Sequence, residues 1–272
     1  VNKVIVKMCG ICGFNWDDKP LVRDMAYVIS HRGHDQEGYF TDKLVSLGHK
    51  RLSIIDLSEK GRQPMFNEDK SVCIIFSGEI YNFQEIRPKL EEKGHRFSSN
   101  TDTEVIIHAY EEYGHDCLKL LNGMFAFAIW DSNKKELFIA RDRLGKRFLY
   151  YYFKDNKFLF ASEIKALLQY QGIKRELNRP ALSQFIVWAY AIDGSTFFKD
   201  IFELKPGHYL VYDGNEVSIK KYWDLQDKLK TIEQPKDESY YVKRLKALLV
   251  KAVKRRLISD VPLGASLSGG ID

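Results

Sequence analysis

Short apolar runs separated by turn-forming residues set the rhythm of residues 123–223. "FAFAIWD" (125–131), "ELFIARDR" (136–143), "FLYYYF" (148–153) and "FLFASE" (158–163) are divided by "SNKK", a loop at Gly145 and "KDNK". β-branched and aromatic residues between such breaks predict strands, and the short connections predict antiparallel hairpins. "GHYLVYDGNEVSIKKYW" (207–223) adds a further hairpin turning at Asp213-Gly214. Two helical patterns interrupt the strands. "NFQEIRPKLEEKG" (82–94) places Asn82 three residues before Glu85, a capping-box spacing, and Pro88 bends it before it ends at Gly94. "TDTEVIIHAYEEYG" (101–114) carries Val105, Ile106, Ala109, Tyr110 and Tyr113 on one face. Strands with helices packed outside them make a layered α+β domain.

Beyond Trp223 the pattern changes. "DLQDKLKTIEQPKDES" (224–239) is polar and reads as a linker. "YYVKRLKALLVKAVKRRL" (240–257) is an amphipathic helix with Leu245, Leu248, Ala252 and Val253 directed inward and its Lys and Arg face in solvent. A small apolar run then leads into Ser268-Gly269-Gly270, a Gly-rich loop of the kind that normally opens a phosphate-binding helix. Because the sequence stops inside that motif, it reads as a fragment.

Charge narrows the function classes. The 42 basic and 37 acidic residues are mixed along the chain and leave a net charge of +5, which argues against a dedicated nucleic-acid surface. No apolar run approaches the roughly 18 residues of a membrane span, and "VNKVIVK" lacks the cleavage site of a secretory signal. The four cysteines, Cys9, Cys12, Cys73 and Cys117, form no paired framework. Cys9-x-x-Cys12 has no second half to complete a metal set, so no metal is expected, and the chain reads as cytoplasmic with reduced thiols.

Cys9 carries the candidate chemistry. A thiol with a pKa of about 8.5 needs a base to become a good nucleophile. At a true N-terminus the residue's own α-amine, titrating at about 8, can serve. The same stretch also fits a small buried hydrophobe, the usual fate of a free cysteine.

Other segments decide between these readings. "MCGICGF", "SHRGHDQEG", "GHKRLSIIDLSEKGRQPM", "FSGEIYNFQEIR", "TDTEVI", "GMFAFAIWD", "ARDRLGK" and "LSGGID" follow one another in order from residue 8 to 272. In this the chain resembles the class II, N-terminal-cysteine glutamine amidotransferases, and within them the glutamine-dependent asparagine synthetases. The resemblance implies an N-terminal-nucleophile α-β-β-α sandwich of antiparallel sheets over 9–222. It also implies a linker over 223–237 and the truncated start of an α/β ATP-pyrophosphatase domain over 238–272. Met8 then reads as the initiator and residues 1–8 as a mis-called leader, with a cleaved propeptide as the alternative.

The site residues follow from the same resemblance. Cys9 would attack the glutamine amide. Arg51 would hold the α-carboxylate, with the backbone of Leu52, Ser53, Ile54 and Ile55 lining the pocket as an edge strand. Glu79 and Asp102 would face the ammonium, and Ser77 with Gly78 would form the oxyanion hole. The family has Asn where this chain has Ser77, and losing one such donor costs on the order of 3 kcal/mol of barrier. His34, and Arg147-Phe148 where a proline is usual, are further departures. Leu267, Ser268, Gly269, Gly270 and Asp272 match the start of an ATP-binding loop, so ATP and Mg²⁺ are implied for the synthetase half. Expected partners are glutamine and an acceptor carboxylate, aspartate first, with a homodimer compatible and no nucleic acid or membrane. An acceptor on a glycan or peptide, or a glutamine-binding module without turnover, are the competing readings.

Overall fold

Between Val72 and Ile80 successive side chains enter two different cores. Val72, Ile74, Phe76 and Ile80 face one, and Cys73 and Ile75 face the other. A strand buried on both faces needs a layer on each side, and that requirement fixes the architecture. In the computed structural model, which describes residues 8–229, 236–265, 267, 269 and 270, two antiparallel sheets stack face to face with helices outside both.

The strands are β1 (Gly10–Phe14), β2 (Gln36–Asp42), β3 (Val45–Arg51), β4 (Met65–Phe66), β5 (Val72–Ile80) and β6 (Gly123–Asp131). They continue with β7 (Glu136–Arg141), β8 (Tyr150–Lys154), β9 (Lys157–Ala161), β10 (Ile201–Glu203), β11 (His208–Tyr212) and β12 (Val217–Lys221). The helices are α1 (Lys19–Tyr27), α2 (Phe83–Glu91), α3 (Asp102–Tyr113), α4 (Ile164–Leu167), α5 (Arg179–Trp188), α6 (Leu225–Leu229) and α7 (Glu238–Arg255). One sheet runs β10-β8-β9-β1-β3-β2 and the other β12-β11-β7-β6-β5-β4. Leu47, Ile75, Ala128, Ile139 and Phe160 fill the space between them. Val22, Met25 and Ile29 seal the outer face of the first sheet, and Ile86, Leu90, Ile106 and Tyr110 that of the second. The order is α-β-β-α, as the resemblance implies.

The predicted hairpins form: β6 pairs with β7, β8 with β9, and β11 with β12. Both predicted helices form as well, but the cap differs. Asn82 makes no side-chain cap on α2. Its amide instead bridges to Leu120 O at 2.9 Å and to the Asn122 N–H at 2.9 Å, tying the start of α2 to the chain before β6. The capping hydroxyl belongs to Thr101, which accepts from the Glu104 N–H at the start of α3.

Residues 223–237 are not all loop, because α6 occupies Leu225–Leu229 within them. α7 corrects the sequence reading more strongly. None of its side chains is buried, and Leu245, Leu248 and Val253 are more than half exposed. It touches the sandwich chiefly at its C-terminal end. Arg255 pairs with Glu85, Arg256 lies over the Tyr81 ring, and Asp260 accepts from the Asp56 N–H at 2.7 Å. No helix among the described residues is long and apolar enough to cross a membrane.

Candidate active site

Cys9 lies immediately before β1 and is held through its carbonyl. Arg32 Nε donates to that oxygen at 3.0 Å and Ser77 Oγ at 2.6 Å, while Arg32 is itself steadied by Glu163 at 3.1 Å. The sulfur accepts the Leu52 N–H at 3.3 Å. Burial pushes the thiol pKa up, and the Leu52 N–H with the positive charges of Arg51 and Arg147 pulls it back. Cys12, by contrast, lies in the core against α1, so Cys9 and Cys12 do not act as a pair.

The thiol opens into a cavity of about 310 Å³ whose walls come from distant parts of the chain. Arg51 and Leu52 follow from β3, Gly78 and Glu79 from the end of β5, Asp102 from the first turn of α3, and Arg147 from the loop before β8. Alanine would not fit at position 78, where a Cβ would come within 2.2 Å of Met124 O. Gly78 sits opposite Phe125, yet both Phe125 N–H and C=O bond to Asp142. The ladder is therefore open at this pair, and the Gly78 N–H faces the free edge of β5, toward the cavity.

Two carboxylates share the pocket. Asp102 is buried and accepts the Ile80 N–H at 2.8 Å. Burial raises its pKa to about 7; the Ile80 bond opposes the shift and the charge of Glu79 adds to it. Burial also raises Glu79, which Arg147 and Arg256 counter. Two buried guanidinium groups, Arg51 and Arg147, line the same cavity, and the Arg147 charge acts on both Glu79 and Cys9.

Arg51 is already engaged. Its Nη1 donates to Gln36 Oε1 at 2.6 Å and to Ser58 O at 3.1 Å, and its Nη2 to the carbonyls of Ile55 and Asp56. These bonds curl residues 52–58 around the guanidinium. Leu52 to Ile55 is consequently not an edge strand, because the chain leaves β3 at Arg51 and bends. Gly61 completes the wrap: a Cβ there would lie 2.0 Å from Arg51 Nη2. Leu52, Ile54 and Ile55 line the cavity, whereas the Ser53 N–H donates to Asp35 at 2.7 Å. Ser77 is likewise absent from the cavity wall, its hydroxyl being directed to Cys9 O. His34 is exposed beside Asp35.

Two arginines, one that holds the Cys9 carbonyl and one that lines the cavity, went unread in the sequence. Arg32 is hidden inside "SHRGHD", with no feature marking it as the clamp on Cys9. Arg147 stood out only as a departure from a motif. It reaches the cavity because Asp142 gathers the N–H groups of Leu144, Lys146 and Arg147, while Arg141 bonds to Arg147 O and Gly145 O. The Nε of Arg147 is buried without a hydrogen-bond partner. Of the residues expected to open an ATP-binding loop, Ser268 and Asp272 lie outside the described residues; Leu267 is exposed, and Gly269 takes the left-handed φ of 79° that glycine permits.

Residues 8–223 match the glutamine amidotransferase domain family, and residues 244–272 match the asparagine synthase family. The chain is 39% identical to asparagine synthetase [glutamine-hydrolyzing] 3 of Bacillus subtilis, over 97% of its own length and 44% of that protein. It is 38% identical to putative asparagine synthetase [glutamine-hydrolyzing] 2 of Methanocaldococcus jannaschii, over 97% and 55%. It is also 37% identical to amidase chry2 of Gibberella zeae, over 97% and 41%. The chain thus spans about half the length of the curated relatives it matches. Among solved structures, the glutamine phosphoribosylpyrophosphate amidotransferase of B. subtilis shares the fold, with a TM-score of 0.58 at 20% identity over 79% of this chain and 49% of that one. The chain belongs to the glutamine amidotransferase domain family, here joined to the start of an asparagine synthase domain, and its relatives include glutamine-hydrolysing asparagine synthetases.

Proposed function

We propose that residues 9–222 hydrolyse the side-chain amide of glutamine and that, in a polypeptide of the relatives' length, the ammonia amidates an aspartate carboxylate. The observation that carries this reading is the half-buried Cys9 thiol opening into a cavity lined by both guanidinium and carboxylate groups. Such a cavity suits a small zwitterion, and opposite charges at its two ends would fix the amide over the sulfur. Asp102 and Glu79 would receive the ammonium. Arg51 would receive the α-carboxylate by exchanging bonds now made to the 55–58 carbonyls, with the Arg147 charge beside it.

The proton of Sγ would pass to the α-amine of Cys9 as sulfur attacks the amide carbon. The Gly78 N–H is the available donor to the resulting oxyanion. Collapse of the intermediate breaks the C–N bond and releases ammonia as the amine returns the proton. Water then cleaves the thioester to glutamate. This chemistry needs Cys9 as first residue; the bonds that anchor Cys9 run through its carbonyl and its sulfur, and Met8 before it lines the cavity. ATP and Mg²⁺ would supply acceptor activation in the longer polypeptide. The left-handed φ of Gly269 suits a backbone cradle.

Mass spectrometry of protein from the native gene should show a chain beginning at Cys9. That species should release ammonia from glutamine, and Cys9→Ala should not. Equal ammonia release from both would overturn the proposal. A second reading differs in the acceptor only, a carboxylate other than aspartate such as one on a glycan or peptide; some relatives are named amidases and not asparagine synthetases. Comparing acceptor-dependent glutamate production with aspartate and other carboxylates in the longer polypeptide separates the two.

A further inference from the structure

On the face of the second sheet away from the cavity, two imidazoles converge on one carboxylate. Glu111 Oε2 lies 2.7 Å from His108 Nδ1 and 3.6 Å from His95 Nδ1. One donor atom from each of the three residues falls within 4.8 Å of the others, and the rings sit 5.0 Å apart. Tetrahedral zinc with bonds of about 2.0–2.1 Å places its ligand atoms ~3.3 Å apart. The two distances to Glu111 bracket that value.

The groups behind these three are arranged equally specifically. Each histidine turns its other nitrogen toward a different carboxylate: Glu112 Oε2 is 3.4 Å from His95 Nε2, and Glu104 Oε1 is 3.9 Å from His108 Nε2. A carboxylate bonded behind an imidazole, as Glu112 is behind His95, selects the tautomer that frees the near nitrogen for a metal; Glu104 stands behind His108 just beyond hydrogen-bond reach. His108 Nε2 is buried and has no hydrogen-bond partner, in a side chain only 2% exposed. Glu111 is steadied by Asn67 Nδ2 at 2.7 Å, and Glu104 by the Ser98 and Ser99 N–H groups at 2.8 and 2.7 Å. Side chains held from behind in this way arrive with little ordering left to do.

We propose that His95, His108 and Glu111 bind one divalent transition-metal ion of the zinc type, with water as fourth ligand, clamping the segment after α2 onto α3. Two imidazoles and one carboxylate favour zinc, cobalt or nickel over calcium or magnesium. The clamped helix is the one whose first residue, Asp102, lines the cavity. The rival occupant of the same atoms is a proton, giving a histidine–glutamate ion-pair network with no metal.

The test uses the full chain carrying Cys9→Ala, so that the pocket thiol cannot take the ion, dialysed against chelator and then loaded with Zn²⁺ or Co²⁺. One ion per chain should be retained after desalting, and Co²⁺ should give the visible spectrum of nitrogen coordination. Zinc at a hundredfold excess over its Kd should raise Tm by about 5–10 °C. His95→Ala and Glu111→Gln, checked as folded by circular dichroism, should lose the ion, the spectrum and the shift. No retained ion, or a Tm shift that survives in His95→Ala, would overturn the site in favour of the proton-bridged network.

Discussion

Four contacts fix Cys9, two through its carbonyl and two between its sulfur and the Leu52 backbone, and Ser77 makes the shortest of them. That placement gives position 77 two jobs in conflict, because a hydroxyl bonded to Cys9 O cannot also donate to an oxyanion. Asparagine offers two N–H donors and a longer reach. Ser77→Asn should therefore raise kcat for glutamine hydrolysis, by up to the roughly hundredfold that one oxyanion donor is worth. An unchanged or lower kcat would show that Ser77 serves only to hold Cys9. Asp102 sets a pH dependence. With a folded-state pKa raised by burial to about 7, it is largely protonated in the empty pocket below neutrality, so KM for glutamine should climb as pH falls through 7. Linkage gives the opposite sign for stability. A carboxyl whose pKa is raised on folding contributes stability that is complete below about pH 4 and lost as pH rises through 7. Asp102→Asn, neutral throughout, should melt several degrees above the parent at pH 8, converge with it only below about pH 4, and hydrolyse no glutamine. A mutant less stable than the parent at pH 8 would mean that the ionised carboxylate is not a cost to the fold.

At the scale of elements, legibility followed the range of the interaction. The hairpins of 125–161 and 207–223 and the helices at 82–94 and 101–114 could be read because their apolar spacing is local. The cap of α2 could not, since Asn82 has the right spacing from Glu85 but bonds to Leu120 and Asn122, which only the folded chain brings near. Residues 52–55 failed for a similar reason. "RLSII" has the composition of a strand, yet the Leu52 N–H goes to a sulfur 43 positions away and the Arg51 guanidinium collects the carbonyls that a strand would pair. The pocket residues Cys9, Arg51, Gly78, Glu79 and Asp102 were located by resemblance to a family. Arg32 and Arg147 were not, because nothing in their neighbours along the chain reports what their side chains meet.

For the whole molecule, the exposed face of α7 and the short span after it pose the question of how the two family segments communicate. Leu245, Leu248 and Val253 are more than half exposed, yet the turn beyond α7 is attached to the sandwich. Asp260 accepts the Asp56 N–H at 2.7 Å and its own N–H donates to Ile54 O at 2.9 Å, a two-bond splice onto the loop that wraps Arg51. Ile54 lines the cavity and Asp56 O is one of the acceptors on Arg51, so the segment that matches the asparagine synthase family grips the wall of the Cys9 cavity. Removing the carboxylate should loosen that wall without touching Cys9. Asp260→Ala is expected to raise KM for glutamine several-fold with kcat nearly unchanged, since the loss of one buried-side hydrogen bond to a charged group is worth about 1.5–3 kcal/mol, shared between the wall and the bound ligand. Asp260→Asn, which keeps an acceptor oxygen, should restore most of the affinity. Steady-state kinetics on the three proteins decides the matter: a KM indifferent to position 260 would mean that the glutamine pocket holds its shape without help from the neighbouring segment.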